Sequence, residues 1–456
     1  MELKAFLKEA ANVKPTKRQM NWYETEFYAF VHFTMPTALD AEIGDGTEDE
    51  MLFNPYDLNC DEWVEAVKAA GMKGIVLTAK HHDGFCLWPS KYTEHCVKNS
   101  KLWKDGKGDV VKECAEACRR GGIKFGVYLS PWDRNAKSYG TDEYNDFYCH
   151  QLEELLTGYG ELFMLWFDGA CFEGPGGRKQ VYDFPRYIEL IRKYQPNAVI
   201  FNDHGPDVRW CGNEGGNARR GEWAVVPKEL CFRCETQTGE GPMVDQGSLD
   251  FIQNYDGNIG EINNIMYSRG LVFAGAEIDM SMRPGWFYHP SQEAHSLERL
   301  FNTYLNSVGN NTSFNLNVPP MPSGRLDPRD IARLKELGDL ISSEFAEEKR
   351  IDYELTREDV SPTQSKFTLK FKNGNQRIRY VVLREDIENF GQRVENFHIA
   401  YKDGDEQFFE GFTVGHKKIC KLRDFYLDKI FIFVTSARDR AEFRDITLYT
   451  CPDPVE

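Results

Sequence analysis

The 456-residue chain carries 72 acidic residues against 55 Lys and Arg, a net charge of −17, with 41% hydrophobic and 13% aromatic side chains. That apolar mass supports a large core and excludes disorder as the dominant state. The acidic balance argues against nucleic acid or an anionic membrane surface as partner, and no apolar run approaches the roughly 20 residues of a membrane span.

The first segment, MELKAFLKEAANVKPTKRQM, has charges where a signal peptide needs its apolar stretch. A cytoplasmic location is therefore expected, unless a leader has been removed. The 12 cysteines are scattered from Cys60 to Cys451 without disulfide spacing, and Cys231-x-x-Cys234 has no second pair to complete a zinc site. Free thiols are expected throughout.

Apolar runs then alternate with helical patterns. Strands are expected over 27–33, 73–80, 124–131, 161–169, 198–205, 271–282 and 313–320. Helices are expected over 61–71, 109–122, 143–160, 183–196, 291–309 and 326–345. Asp109 stands at a plausible N-cap and Gly121-Gly122 close the same helix. Gly-rich loops interrupt the pattern over 212–221 and 238–260. This alternation predicts an α/β fold, a (β/α)8-like barrel over residues 1–348, and no Gly-x-Gly-x-x-Gly follows an early strand. Beyond residue 349 the texture becomes short alternating runs, KFTLKFK, IRYVVLRE, NFHIAYK, KIFIFVT and FRDITLYT, with a turn at Lys372-Asn373-Gly374. Residues 349–456 are expected to form an antiparallel β-sandwich.

In a barrel, functional groups gather at the C-terminal ends of the strands. Here those ends read VHF, TAKHHDGF, VYLSPWDR, LWFDG and FNDHG. Titratable and aromatic residues crowd each of them, where a structural end needs only turn residues. The His81-His82 pair admits a buried hydrogen-bonding role, a metal site, or recognition of sugar hydroxyls. Asp168 ends an apolar strand, where a carboxylate is costly unless used or paired. Glycosidic cleavage needs a second carboxyl, for which Glu214, Glu222, Glu277 and Asp279 all compete.

Val31-His32-Phe33, Lys80-His81-His82-Asp83-Gly84-Phe85, Tyr128-Leu129-Ser130 and Trp166-Phe167-Asp168-Gly169 together resemble glycoside hydrolase family 29, the retaining α-L-fucosidases. Arg283-Pro284-Gly285-Trp286-Phe287-Tyr288 and Leu316-Asn317-Val318-Pro319-Pro320 add to the likeness. The segment Arg209-Trp210-Cys211-Gly212-Asn213-Glu214-Gly215 resembles the subfamily that prefers α-1,3/1,4-linked fucose in Lewis-type glycans. The resemblance implies Asp168 as nucleophile and Glu214 as acid/base. It implies His32, His81, His82 and Tyr128 as binders of fucose hydroxyls, with Trp166 and Trp286 as aromatic walls. It also implies a fucosylated oligosaccharide as substrate, and no cofactor or metal. One segment departs from the subfamily pattern: Ile43 stands where a second aromatic is expected, and Pro36 where an Asn is expected. A metal-dependent barrel hydrolase using His81 and His82, and a catalytically silent fucose-binding protein, are the alternatives.

Overall fold

The computed structural model describes residues 3–203, 205–228, 230, 259–403 and 407–450. Cys231, Cys234, Cys451 and most of the 238–260 loop lie outside these residues. The nine described cysteines are all buried and free.

Among the described residues, ten strands precede residue 320: β1 (Phe27–Val31), β2 (Gly74–Lys80), β3 (Lys124–Leu129), β4 (Met164–Trp166), β5 (Val199–Phe201), β6 (Val208–Trp210), β7 (Val225–Pro227), β8 (Leu271–Phe273), β9 (Gly275–Ser281) and β10 (Thr312–Asn317). Eight of them close a parallel barrel in the order β1-β10-β9-β6-β5-β4-β3-β2, while β7 and β8 pair antiparallel outside it. β6 was not expected: its three residues lie unassigned between the strand expected over 198–205 and the Gly-rich loop over 212–221. The sequence reading also merged β8 and β9, because LVFAGAEIDMSM contains no polar break between two differently paired strands.

Burial on both faces explains the continuous apolar strands: every residue of β2, GIVLTAK, is buried. The helices cover the outside. Asp109 caps the helix Val110–Gly121 by accepting from the Lys112 amide, and Gly122 ends it at φ 69°, a left-handed conformation that favours glycine. Lys80 closes β2 with a buried ion pair to Asp133 at 2.9 Å, supported by Gln151 Oε1 at 2.9 Å. Removing one partner of such a pair costs about 3–5 kcal/mol.

Side-chain alternation turns one sector of the barrel interior polar. Tyr28, Phe30 and His32 of the first strand and its exit, Glu277, Asp279 and Ser281 of β9, and Ser313, Asn315 and Asn317 of β10 are all buried. Registers Ser313↔Glu277 and Asn315↔Asp279 hold β9 beside β10. A hydrogen-bonded column therefore rises along the barrel towards the strand C-termini.

The remaining strands are β11 (Tyr353–Ser361), β12 (Gln364–Phe371), β13 (Gln376–Glu385), β14 (Val394–Ala400), β15 (Gln407–Gly411), β16 (Lys418–Leu427), β17 (Lys429–Ala437) and β18 (Phe443–Thr450). They form a five-stranded and a three-stranded antiparallel sheet over a core that includes Phe367, Leu369, Val381, Leu383, Ile399 and Ile432. Of these, β11, β15 and β16 were not foreseen; β11 alternates charges on a largely exposed edge and so lacks the apolar signal. The Lys372-Asn373-Gly374 turn, with Gly374 at φ 73°, joins strands of different sheets and not a hairpin. Lys417 pairs with Glu26 at 2.9 Å, and Gln392 Oε1 accepts from the Ala224 amide at 2.8 Å, fastening the sheets to the barrel.

Candidate active site

At the C-terminal ends of the barrel strands lies a cavity of about 260 Å3. The eight residues that the family resemblance implies all line it: His32, His81, His82, Tyr128, Trp166, Asp168, Glu214 and Trp286. Phe30, Glu42, Ile43 and Asp279 complete the lining. A larger cleft of about 830 Å3 opens at the N-terminal end of the barrel, beside Trp22, Lys124 and Phe163. It holds no histidine and none of the strand-end residues, so the smaller cavity is the chemical site.

The histidines are tuned by their supports. Asn317 Nδ2 donates to the Trp286 carbonyl at 2.7 Å, which orients the amide and leaves Oδ1 to accept from His32 Nδ1 at 2.9 Å. Burial holds the His32 pKa down at about 3, so its ring is neutral and Nε2 is an acceptor. Ser130 Oγ donates to the Trp132 carbonyl at 2.7 Å and so accepts from His82 Nδ1 at 2.7 Å. Burial also lowers the His82 pKa, although the Asp168 charge opposes it. His81 lies beyond the end of β2, so its ring and that of His82 both reach the pocket, 4.0 Å apart. His81 Nδ1 is buried without a hydrogen-bond partner in the protein. Neutral imidazoles with free nitrogens are suited to hydroxyl groups.

Asp168 follows β4 and is fixed by two donors. The Ala170 amide reaches Oδ1 at 2.7 Å and the Tyr128 hydroxyl reaches Oδ2 at 3.1 Å. Burial, with the Asp168 charge behind it, pushes the Tyr128 pKa far up, so the phenol remains a donor. Glu214 stands on the loop after β6, at the exposed rim, and accepts from Trp286 Nε1 at 3.2 Å. Partial burial, then the charges of Asp168 and Glu42, raise its carboxyl above the usual range against the pull of that indole N–H. The rim therefore holds a carboxyl that retains its proton longer than an ordinary glutamate.

The other glutamates are placed elsewhere. Glu222 is buried in an ion pair with Arg209 at 2.7 Å and Arg219 at 3.1 Å. Those guanidiniums outweigh its burial and lower its pKa. Glu277 lies beneath the pocket, accepting from Trp166 Nε1 at 2.8 Å, from Asn315 Nδ2 at 3.1 Å and from the Tyr28 hydroxyl. Burial raises its pKa to about 7. Asp279 reaches the pocket and accepts from Trp210 Nε1 at 2.8 Å. Among the described residues, no group of three or more His, Cys, Asp or Glu is placed to hold a metal ion.

Ile43 and Pro36 were noted in the sequence for their departure from a pattern, and Glu42 was not singled out. Ile43 is half exposed at the pocket, whereas Pro36 is buried in the short helix Met35–Leu39 and does not line it. Glu42 accepts from the Trp286 amide at 2.9 Å and meets His289 Nε2 at 2.6 Å, while His289 Nδ1 meets Asp40 at 2.5 Å. These contacts press the Trp286 segment over the pocket, and no motif announced them.

Residues 9–344 match the family model described as alpha-L-fucosidase. The chain is 36% identical over 436 residues to alpha-L-fucosidase 1 of Arabidopsis thaliana, covering 89% of this chain and 81% of that protein. A glycoside hydrolase 29 family member from an unknown rumen bacterium superposes with a TM-score of 0.83 at 35% identity, covering 98% of this chain and 78% of that one. A Ruminococcus gnavus GH29 fucosidase in complex with fucose is similar over 97% of this chain and 95% of its own, with a TM-score of 0.80 and 27% identity.

Proposed function

The chain belongs to the α-L-fucosidase family, glycoside hydrolase family 29, and from that premise we propose a retaining exo-enzyme that removes terminal α-1,3/1,4-linked L-fucose from Lewis-type glycans. The observation that carries this reading is the pairing of Asp168 and Glu214 across one small pocket lined by neutral histidines. Phe30 and Trp166 form part of the lining inside the barrel mouth, which favours a single terminal residue over a threaded chain. The likeness of Arg209–Gly215 to the α-1,3/1,4-preferring subfamily supports the linkage, and the half-exposed Ile43 leaves the rim open to a branched neighbour.

Asp168, held by the Ala170 amide and the Tyr128 hydroxyl, attacks the anomeric carbon. Glu214 delivers its proton to the departing glycosidic oxygen, which would otherwise leave as an alkoxide. In the second step Glu214 takes a proton from water, which hydrolyses the fucosyl–Asp168 ester with net retention. His32, His81 and His82 receive the hydroxyls, while Trp166 and Trp286 face the apolar C–H and methyl surface of fucose.

The test is release of fucose from a panel of Lewis-type, α-1,2-linked and aryl fucosides, with the first-formed anomer followed by NMR. Initial β-fucose would overturn retention, and exclusive cleavage of α-1,2 linkages would overturn the proposed linkage.

A further inference from the structure

The pocket is rich in hydrogen-bond acceptors and short of donors. His32 and His82 each direct Nδ1 at a support, Asn317 Oδ1 at 2.9 Å and Ser130 Oγ at 2.7 Å, and so present Nε2 as an acceptor. The Tyr128 hydroxyl is taken by Asp168, and the Trp166 indole N–H by Glu277. Trp286 gives its indole N–H to Glu214 and its amide to Glu42. Two donors then remain beside Asp279: the single N–H of neutral His81, and the Glu214 proton, which goes to the glycosidic oxygen. The 2-, 3- and 4-hydroxyls of fucose each bring one O–H and two acceptor lone pairs, so the sugar asks for donors that the other lining residues do not supply.

Asp279 is placed to supply one. It lies on β9 opposite Asn315 of β10, lines the cavity and is 3% exposed. Trp210 Nε1 holds its Oδ1 at 2.8 Å, no other side chain among the described residues bonds the carboxyl, and Oδ2 is left to the cavity. Its charged neighbours are carboxyls too: Glu277, two residues back on the same strand, and Glu214, on the loop after β6. The Cys211 thiol at the end of β6 is kept protonated by burial, and β10 contributes only the uncharged Ser313, Asn315 and Asn317 to that face. Burial first, then the two neighbouring carboxyls, raise the Asp279 pKa well above the usual carboxylate range, against the pull of the Trp210 indole. Ionised, Asp279 would add an anion beside Asp168 in a pocket already lacking donors. Protonated, it presents an O–H to the sugar, as a carboxylic acid kept neutral by its surroundings can.

We propose that Asp279 is a fucose-binding residue, a neutral carboxylic acid that donates its O–H to one ring hydroxyl of the sugar while Trp210 fixes its other oxygen. The inference rests on the fucosidase reading for the identity of the sugar.

The test measures binding of L-fucose and of its 2-, 3- and 4-deoxy forms by calorimetry, in wild type, Asp279→Leu and Asp279→Asn. Asp279→Leu removes the donor and should weaken fucose by about three- to tenfold, the worth of one ordinary hydrogen bond. That loss should largely disappear for one deoxy sugar, the form lacking the hydroxyl that Asp279 serves, and persist for the others. Asp279→Asn still accepts from Trp210 and still donates into the pocket, so it should recover most of the lost affinity. Equal loss for every sugar would mark a merely structural role through Trp210, and no loss for any would leave Asp279 without a contact. Either result overturns the proposal, while fucose binding by wild type leaves the fucosidase reading intact. A second readout does not need Asp279→Leu to fold. As pH climbs through the raised value the O–H is lost, so wild-type affinity for fucose should fall more than that of Asp279→Asn. Parallel pH profiles for the two proteins would overturn the neutral-donor role. Failure of wild type to bind fucose at any pH would strike the fucosidase reading itself, and this proposal with it.

Discussion

Trp166 donates its indole Nε1 to Glu277 Oε1 across 2.8 Å, tying a wall of the pocket to a carboxyl fully buried in the barrel interior. The same carboxyl takes Asn315 Nδ2 and the Tyr28 hydroxyl, and Trp22 Nε1 donates to Tyr28 at 2.9 Å. Trp166 also stacks on Phe201, with ring centroids 4.1 Å apart, so stacking and one hydrogen bond fix its plane.

Glu277→Leu should therefore leave buried donors unsatisfied, at about 1–3 kcal/mol each, and let the Trp166 ring shift. KM should rise more than kcat falls, whereas Glu277→Gln, which still accepts from Trp166, should retain both. Proton linkage gives a second readout. A free glutamate loses its proton near 4.5, but burial holds that of Glu277 to about 7. Because the folded value is raised, its contribution to stability is present below about 4.5 and is lost as pH rises to about 7. Wild-type Tm should fall more steeply over that window than the Tm of Glu277→Gln. Equal slopes would show that Glu277 does not titrate as described.

Asp168→Ala should abolish turnover while fucose still binds. The pocket histidines, Tyr128 and both tryptophans remain in place, so affinity for the sugar does not depend on the attacking oxygen. Azide should restore activity through the space left behind, giving the inverted azido product. Substantial activity of the variant in plain buffer would remove Asp168 from the nucleophile's role.

His289 sits between Asp40 and Glu42, at 2.5 and 2.6 Å, and Arg283, whose Nη1 reaches the His289 carbonyl at 3.4 Å, is itself neutralised by Asp327 and Asp330. Partial burial works against a charged ring, but the two carboxylates outweigh it and raise the pKa. The bridge is thus complete below about 6.5 and weakens as pH climbs through the raised value. Both carboxylates are more than a third exposed, so its worth is limited to about 0.2–1 kcal/mol. His289→Asn should raise KM, because Trp286 is less firmly held, and should flatten the KM–pH profile above neutrality. A profile identical to wild type would show that the bridge does not position Trp286.

Much of this was legible in the sequence because chemistry breaks pattern. His81-His82 and Asp168 interrupt apolar strands at their ends, and the barrel places all three around one cavity. The polar column was less legible: SFNLN alternates as any half-exposed strand would, yet its polar face points into the barrel and supports His32. β6 escaped because three residues carry no period, and Arg209 within it is buried only because Glu222, thirteen positions on, neutralises it. The Glu42–Trp286 contact spans 244 positions, a separation at which local pattern carries no information.

Glu214 is the remaining carboxyl whose role can be isolated by substrate choice. It is at the exposed rim, hydrogen-bonded to Trp286, and partial burial and the Asp168 and Glu42 charges raise its pKa. A group with a raised pKa is protonated over more of the neutral range, so the alkaline limb of kcat/KM should report its ionisation. Removing it should matter most where the leaving group is poor, since a sugar alkoxide cannot depart unprotonated. Glu214→Ala should lower cleavage of natural oligosaccharides by roughly 100- to 10,000-fold, the usual worth of general acid–base assistance. Fucosides of activated phenols need little protonation in the first step, so they should lose far less and accumulate the fucosyl–Asp168 ester. A pre-steady-state burst of phenol, followed by slow turnover that azide accelerates, is the expected signature. Equal losses on both substrate classes would instead reduce Glu214 to a binding residue at the rim. Asp279, a buried carboxyl that lines the same pocket, would then be the next group to test.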